Sequence, residues 1–237
     1  MTDPITELAS DRAALQRSST AERVAGILRE RITDGTLAPG TRLPEDALGT
    51  ALGVSRNTLR ESFRLLIHER LVVAELNRGA FVRRLTSDDV VDLYRVRQLV
   101  ECAAIRSFTD DSGAVDGERE AHLAVLRAAV DEGRIAAKED RWPDVATANM
   151  HFHRAVVALA GSARLDEYMR QVSAELRLAF HVMQHPRLFH EPYLGRNGEI
   201  LERLEAGDVT VAADLLVSYL QDAERQVVAG YQEARAE

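Results

Sequence analysis

The order of helix and turn signals between residues 19 and 84 constrains the fold of this chain more than any other feature. Ser19 and Glu22 have the spacing of a capping box, and apolar residues then recur at helical intervals as far as Ile32. This pattern predicts a helix that ends near Gly35. A segment with two prolines and one glycine follows at 37–44, and it is predicted to be a turn.

Two further helices are predicted after this turn. A short one covers about Glu45–Leu52 and stops at Gly53. Ser55 is a good N-cap for a longer helix that reaches about His68. The spacing of the apolar residues gives the longer helix one stripe that is expected to be buried. This stripe consists of Leu59, Phe63, Leu66 and Ile67.

Two β-prone runs follow, at 71–73 and 80–82. Asn77 and Gly79 lie between them, and both residue types suit the turn of a hairpin. A helix, a helix-turn-helix and a hairpin in this order predict a winged helix-turn-helix domain over 19–85. In such a domain the third helix enters the major groove of DNA.

Only helices are predicted after residue 85. With 5% aromatic residues and six prolines, the composition favours helices packed through Leu, Val and Ala over a β-sandwich. The sequence thus predicts a mainly α protein in which residues 86–237 form an all-α antiparallel helical bundle. Residues 1–18 show no sustained apolar period and are predicted to be a flexible arm. The predicted bundle helices are 87–108, 117–138, 143–160, 163–184, 193–205 and 208–231.

Charge is divided unevenly along the chain. The net charge is −8, but residues 1–85 hold 13 arginines against 11 acids, whereas the remainder holds 17 basic residues against 27 acids. An acidic body with one basic tip can still bind DNA by that tip. Short apolar runs interrupted by charge predict no membrane span. An acidic N-terminus and a single cysteine, Cys102, predict a cytoplasmic protein without a disulfide framework.

Arginines on the third predicted helix form a stripe beside its buried face. Arg56, Arg60 and Arg64 recur every four residues, and Asn57 and Thr58 lie in the first turn. Arginine can bind guanine through two hydrogen bonds, asparagine suits adenine, and Ser or Thr at a helix N-terminus suits phosphate. Taken alone, such a stripe also fits an exposed helix that is merely solvated. The neighbouring turn and hairpin favour DNA recognition.

The motifs of this region resemble those of the GntR family of bacterial transcription regulators. The matching segments are LAPGTRL at 37–43, LGVSRNTLRE at 52–61, ERLVV at 69–73 and NRGAFV at 77–82. The resemblance implies that the start of the third helix and the tip of the wing contact bases and phosphates. The implied contacts are Ser55, Arg56, Asn57, Thr58 and Arg60 on the helix, Arg78 and Gly79 on the wing, and Arg42. The family commonly has Thr-Pro-Val where this chain has residues 57–59, so the family does not give its base preference.

Polar residues interrupt the apolar stripes of the predicted bundle. They are Arg97, Glu101, Asn149, His153, Asn197 and Tyr219. Burial of such groups costs free energy unless each finds a partner, so several that converge would form a polar pocket. Arg97 could hold an anionic ligand in that pocket. Alternatively, Arg97 and Glu101 simply pair with each other, and a lone histidine is often a satisfied core residue.

Residues 86–231 resemble the FCD ligand-binding domain of the FadR subfamily of GntR regulators. The resemblance is carried by LYRVRQLVE at 93–101, NMHFHR at 149–154 and EAGD at 205–208, in this order behind a GntR-like winged helix. It implies an effector pocket inside the bundle. Many members of that domain family hold a divalent metal there through an Asp or Asn and three His, and the metal binds a carboxylate effector.

Two of the histidines that such a metal needs are missing from this chain. By motif, the metal positions are occupied by Asn149, His153, Asn197 and Tyr219. One imidazole, two amides and a phenol are poor ligands for zinc, so we expect no tightly bound metal and no cofactor. The same side chains could bind a small organic acid directly, with Arg97 as counter-charge. Three further histidines near Pro186 are expected to be exposed or to cap a helix, and they are His181, His185 and His190.

These features together predict a DNA-binding transcription regulator that is not an enzyme. We expect a homodimer that binds a palindromic operator in double-stranded DNA as a repressor, with an organic acid effector in the bundle that shifts the dimer between arrangements. Two alternatives stay open. The chain could be an enzyme with an appended winged helix, although no nucleophile and base have persuasive spacing. The bundle could also serve only dimerisation and bind no effector.

Overall fold

The computed structural model describes residues 12–109, 116–181, 183 and 185–233. The chain divides into two compact units, with the boundary between Leu85 and Thr86. Helices dominate both units, and a small sheet belongs to the first. The predicted fold class, a mainly α protein with a winged helix-turn-helix followed by a helical bundle, is confirmed.

Over its described residues, 12–85, the first unit contains three helices and three short strands. They are α1 (Arg12–Thr33), β1 (Arg42–Leu43), α2 (Glu45–Leu52), α3 (Arg56–His68), β2 (Val72–Glu75) and β3 (Gly79–Val82). Helix α1 packs against α3, and Leu28 of α1 and Leu66 of α3 are among the buried residues of this core. Arg29 donates two hydrogen bonds of 2.6 Å to the Glu69 carboxylate, which ties α1 to the end of α3.

The strands form an antiparallel sheet in the order β1-β3-β2. Strands β2 and β3 are the predicted hairpin, and its turn holds Asn77 and Gly79 at φ of 61° and 99°. This left-handed region favours Asn and Gly over other residues. The segment at 37–44 is not only a turn, because its end forms β1, in which Arg42 pairs with Phe81. Strand β3 supplies the edge that makes this pairing possible.

Two details of the first unit differ from the prediction. Helix α1 begins at Arg12, so residues 12–18 of the predicted arm are helical, and residues 1–11 lie outside the described part of the chain. Ala, Leu, Gln and Arg at these positions favour helix without any apolar stripe. The prediction that Ile67 belongs to the buried stripe of α3 is wrong, because Ile67 is 38% exposed. Ser62 is buried instead and donates a hydrogen bond of 2.7 Å to the Leu59 carbonyl.

The second unit is a bundle of helices. They are α4 (Ser87–Ser107), α5 (Asp116–Lys138), α6 (Trp142–Ala158), α7 (Ala163–Phe180), α8 (Pro186–Glu205) and α9 (Val209–Glu233). Thr86 and Asp89 cap α4 with a reciprocal capping box. The closest packed pairs are α5 with α6 and α4 with α9, and α8 packs against α5, α6 and α9. Within the described ranges, no helix is long and apolar enough to cross a bilayer.

Helix α8 begins earlier than predicted, at Pro186 rather than at residue 193. Pro186 lies in the first turn, where a missing N–H has no consequence. Pro192 lies inside the helix and cannot donate to the Leu188 carbonyl one turn earlier. Gln226 of α9 donates a hydrogen bond of 3.4 Å to that carbonyl instead. A tertiary contact therefore compensates for the hydrogen bond that Pro192 cannot make.

The single cysteine lies in the bundle core. Cys102 of α4 is buried, and its Sγ lies 4.0 Å from the Ala213 carbonyl of α9. Burial, together with the nearby Glu101 carboxylate, raises the pKa of the thiol to about 11. At neutral pH this side chain is a protonated, packed group.

Candidate functional site

The N-terminus of α3 is capped by the residues predicted to contact phosphate. Ser55 has extended backbone angles, and its Oγ accepts a hydrogen bond of 3.1 Å from the Thr58 amide. The two hydroxyl oxygens lie 2.9 Å apart and hydrogen-bond to each other. Both side chains thus fix the start of α3 in the free protein. Their predicted phosphate contacts stay predictions.

Two of the three arginines of the α3 stripe, Arg56 and Arg60, are exposed and paired with acids of α2. The side chains of Arg56 and Arg60 are 71% and 59% exposed, and Asn57 is exposed beside them. Arg60 Nε donates a hydrogen bond of 2.9 Å to Glu45, and Arg56 Nε lies 2.8 Å from an Asp46 carboxylate oxygen. Both contacts join the first turn of α2 to α3. Acids from a second helix therefore hold two of the three arginines of the stripe, and the predicted base contacts stay predictions.

The wing carries the other predicted DNA contacts. Arg78 pairs with Glu75 across the hairpin turn, and its guanidinium lies 5.4 Å from the centre of the Phe81 ring. Arg42, on β1, reaches the same turn, since its Nε lies 3.9 Å from the position that a Cβ on Gly79 would occupy. Sequence analysis could not place Arg42 beside the wing, because the pairing of β1 with β3 depends on tertiary contacts.

The polar residues predicted to converge in the bundle do so. They are all at most 9% exposed, and they are Arg97 and Glu101 on α4, Asn149 and His153 on α6, Asn197 on α8 and Tyr219 on α9. Arg97 Nε donates a hydrogen bond of 2.7 Å to Glu101. The alternative left open by the sequence, a pair between these two residues, is therefore present. The pair is part of a larger network.

The network runs from Glu101 to Asn197 through side chains alone. Glu101 Oε2 lies 2.7 Å from His153 Nδ1, and His153 Nε2 lies 3.1 Å from the Tyr219 hydroxyl. The Tyr219 hydroxyl and Asn197 Nδ2 each donate a hydrogen bond of 2.8 Å to Asn149 Oδ1. Two buried atoms of the network, Arg97 Nη2 and Asn197 Oδ1, have no hydrogen-bond partner. The site therefore holds a donor without an acceptor and an acceptor without a donor.

Charges within the network balance. Burial is the largest single effect, and it lowers the pKa of Arg97 and raises that of Glu101. The surrounding charges and hydrogen bonds together outweigh it, above all those between the two residues, so the pKa of Arg97 is raised and that of Glu101 is lowered. Burial and the Arg97 charge lower the pKa of His153, and burial raises that of Tyr219. One cation, one anion, a neutral imidazole and a phenol result.

The neutral state of His153 gives the network a shortage of protons. With its Nδ1–H directed to Glu101, His153 presents a lone pair at Nε2 towards Tyr219. The single Tyr219 hydroxyl proton then has two acceptors, His153 Nε2 and Asn149 Oδ1. One of these contacts is unmet at any moment. A ligand that brings a hydrogen-bond donor would satisfy it.

His190 is a buried member of this region that the sequence prediction placed wrongly. It is 4% exposed on α8, whereas His181 and His185 are exposed as predicted. Burial, with a smaller effect of Arg177, lowers the pKa of His190 to about 4. Its Nδ1 has no hydrogen-bond partner and, like Asn197, it lines a cavity of about 10 Å³. The signal in the sequence was the i, i+7 spacing of His190 and Asn197, which places both on one helix face.

The metal that the FCD resemblance implies does not fit these residues. Asn149 Oδ1 already accepts two hydrogen bonds, and the raised pKa of Tyr219 keeps its phenol protonated. Among the described residues, no group of three His, Cys, Asp or Glu side chains is arranged to hold a metal ion. The side chains that would bind the metal bind one another instead.

Comparison with known proteins decides the family. Residues 92–222 match the FCD domain, and residues 20–82 match the gntR family of bacterial regulatory proteins. The chain belongs to the GntR family. It is a GntR-family transcriptional regulator with an FCD domain, as the sequence motifs predicted.

Individual relatives agree with this assignment. The chain is 30% identical to the Nta operon transcriptional regulator of Aminobacter aminovorans over 70% of this chain and 77% of that regulator. It is 29% identical to the HTH-type transcriptional regulator YdhC of Bacillus subtilis over 62% of this chain, and it spans 63% of YdhC, less than two thirds. A GntR transcriptional regulator from Rhodococcus sp. RHA1, known from its crystal structure, is 46% identical in sequence. Its fold matches this one with a TM-score of 0.81, over 89% of this chain and 98% of the Rhodococcus chain.

Proposed function

We propose that this GntR regulator is a homodimeric repressor that reads a palindromic operator with α3 and the wing, and that a small organic acid bound in the FCD bundle releases it from DNA. The proposal includes no enzymatic activity and no metal cofactor. The observation that carries it is the pair of exposed α3 arginines, Arg56 and Arg60, whose Nε atoms are held by acids of α2.

The reading surface combines two kinds of contact. Arg56, Asn57 and Arg60 are directed at base edges in the major groove, and Ser55 and Thr58 at phosphates beside the α3 N-terminus. Arg78, Gly79 and Arg42 form the wing contact. The Arg60–Glu45 pair is largely exposed and therefore weak, so Arg60 can turn its Nη groups towards DNA at a small cost.

A dimer follows from the size of one reading surface. One helix and one wing cover a single half-site, and two linked copies bind two half-sites with a higher effective concentration. A repeated half-site with two-fold symmetry is a palindrome. We therefore expect the operator to be palindromic and the regulator to be a homodimer.

The effector site is the buried network of Arg97, Asn149, His153, Asn197 and Tyr219. A carboxylate of the effector would accept from Arg97 Nη2, the donor without a partner, and a donor on the effector would satisfy Asn197 Oδ1. The cavity of about 10 Å³ beside Asn149 and Asn197 holds one water-sized group and is not lined by Arg97, so the bundle has to open for binding. Release of DNA requires that the effector bind the DNA-incompatible arrangement more tightly.

The closed network also favours a second candidate. Because Glu101 already neutralises Arg97 and the cavity is small, the bundle could serve dimerisation alone. A thermal-shift screen of small organic acids on the wild type, with a metal analysis of the same sample, separates the two. An acid that raises Tm and weakens DNA binding supports the sensor. Absence of any shift supports the pure dimeriser, and stoichiometric zinc contradicts our assignment of the pocket.

The DNA-reading proposal is tested by Arg60→Ala. We expect affinity for a duplex selected by the wild-type protein from a random library to fall by about 10- to 100-fold, since a bidentate arginine–guanine contact is lost. The control is Arg170→Ala, which removes an equally exposed arginine from α7. Gel-shift titration measures affinity, and sedimentation confirms that the oligomeric state is unchanged. Unchanged affinity in Arg60→Ala would show that the reading surface lies elsewhere.

A further inference from the structure

We propose that Glu45 and Asp46 are positioning residues that set the base specificity of this regulator, by holding Arg60 and Arg56 ready for base edges and away from phosphates. The inference rests on the proposed function, in which α3 enters the major groove. It assigns a role in DNA recognition to two acids of α2 that are not directed at DNA themselves.

Glu45 and Asp46 lie on a helix that is packed closely against the turn before α3. Glu45 and Asp46 occupy the first turn of α2, where the helix dipole favours negative charge. Helix α2 ends at Gly53, whose φ of 63° turns the chain directly into the Ser55 cap of α3. A Cβ on Gly49 would lie 3.3 Å from the Val54 carbonyl, so α2 and this turn are closely packed. The carboxylates therefore have a defined position relative to α3.

The contacts engage one particular nitrogen of each arginine. Glu45 binds Arg60 through Nε at 2.9 Å, and Asp46 lies 2.8 Å from Arg56 Nε. The terminal Nη groups remain, and two such donors match the O6 and N7 acceptors of guanine. A guanidinium held at Nε has lost part of its rotamer freedom before DNA arrives. The pairs thus preorganise the arginines for a base.

The same carboxylates disfavour binding to the DNA backbone. Non-specific affinity comes almost entirely from basic side chains that neutralise phosphates. A negative charge beside each arginine lowers that attraction for every sequence equally. An arginine that binds guanine through its Nη groups can keep its carboxylate partner at Nε. The acids therefore weaken wrong complexes more than the right one, which is how specificity arises.

A third pair on α3 provides the matched control. Arg64 pairs with Glu61 of the same helix, so this carboxylate moves with α3 and does not connect it to α2. Glu61 is also exposed. Removing Glu61 changes the net charge by the same amount as removing Glu45. It does not remove a contact between helices.

The test compares Glu45→Ala, Glu45→Gln and Asp46→Ala with Glu61→Ala on the full-length protein. Affinity is measured for a duplex selected by the wild type, for its single base-pair variants and for a scrambled duplex, each at several salt concentrations. We expect Glu45→Ala to bind the scrambled duplex several-fold more tightly and to lose about tenfold discrimination at one guanine position. Asp46→Ala should do the same at a different position. Glu45→Gln should keep part of the discrimination, because its amide oxygen still accepts from Nε.

Glu61→Ala should strengthen binding to all duplexes by one common factor and leave discrimination intact. If Glu45→Ala and Asp46→Ala behave in the same way, the acids act through charge alone and the inference is overturned, while the reading role of α3 stands. If Arg60→Ala binds the selected duplex like the wild type, the proposed function fails and this inference fails with it. A thermal melt of each variant shows that α2 and α3 are folded.

Discussion

Each unit of this regulator has an arginine–carboxylate pair at its candidate site, but the surroundings of the two pairs are opposite. Arg60 and Glu45 are exposed and separated by 15 residues, whereas Arg97 and Glu101 are 2% and 0% exposed within one helix. Water screens the first pair, so the pair adds little to stability and leaves the Arg60 Nη groups accessible to DNA. The second pair has lost its water, and each charge depends on the other. An arginine–carboxylate pair is therefore expected to serve DNA recognition in one unit and stability in the other.

The largest effect that would test this comparison is expected from Glu101→Ala. The substitution leaves the Arg97 charge buried without a counter-charge and removes the partner of His153 Nδ1. We expect a loss of about 3–5 kcal/mol in the free energy of unfolding of the FCD unit, measured by urea denaturation. The matched change in the other unit is Glu45→Ala, for which less than about 1 kcal/mol is expected. Equal losses in the two variants would contradict the comparison.

The dependence of the unfolding free energy on acid pH provides a second test of how strongly the FCD unit depends on its buried polar groups. His190 has a pKa lowered to about 4 from an ordinary value of 6.5, so the unfolded chain binds its proton at higher pH than the folded chain. The neutral state of His190 therefore contributes about 3 kcal/mol to the free energy of unfolding. This contribution is fully present above pH 6.5 and is lost as the pH falls towards 4.

The variant that isolates this contribution is His190→Leu, which should flatten the decrease in unfolding free energy between pH 6.5 and 4. Exposed His185, at the start of α8, provides the control as His185→Leu. Denaturation curves at several pH values give the slopes. A wild-type slope in His190→Leu would show that another group is responsible.

A smaller effect is expected from Tyr219→Phe. The change keeps the ring and removes the hydroxyl that hydrogen-bonds with Asn149 and lies beside His153 Nε2. Asn149 Oδ1 keeps its hydrogen bond from Asn197, but His153 Nε2 is left with no donor at all, which is worth about 1–3 kcal/mol of stability. Thermal and urea unfolding measure the loss. Tyr168→Phe, at a partly exposed tyrosine on α7, should leave stability unchanged, and an equal loss there would contradict the role of burial.

The smallest effect is expected from Glu61→Gln. Its pair with Arg64 lies on the exposed face of α3. We expect a change within about 0.5 kcal/mol in the unfolding free energy of the first unit, and the change should vanish at high salt. A loss that persists in 1 M salt would mean that the α3 surface is desolvated, contrary to its exposure.

Local signals predicted much of the first unit. The Ser55 cap, the stop at Gly53 and the apolar spacing gave the bounds of α2 and α3, because caps and helical faces are properties of neighbouring residues. Strand β1 was missed since two residues become a strand only when β3 pairs with them. The early start of α8 was missed for a similar reason, because Gln226 of another helix satisfies the carbonyl that Pro192 leaves free.

The sequence predicted which residues form the buried site, but not which hydrogen bonds they make. Polar residues within apolar stripes predicted that Arg97, His153 and Tyr219 would be brought together, and they are. Which atom binds which depends on the packing of four helices, and a sequence does not contain those distances. His190 was misplaced because its burial depends on other helices, since it packs against Phe180 of α7 and shares a cavity with residues of α5 and α6.

The position of Cys102 gives the bundle an internal reporter. A thiol that is protonated and enclosed between α4 and α9 reacts with alkylating reagents only while those helices are apart. The alkylation rate of the native regulator therefore measures how often α4 and α9 separate transiently. An effector that changes the alkylation rate of Cys102 would be detected by mass spectrometry without any engineered label, from the mass added to this one side chain.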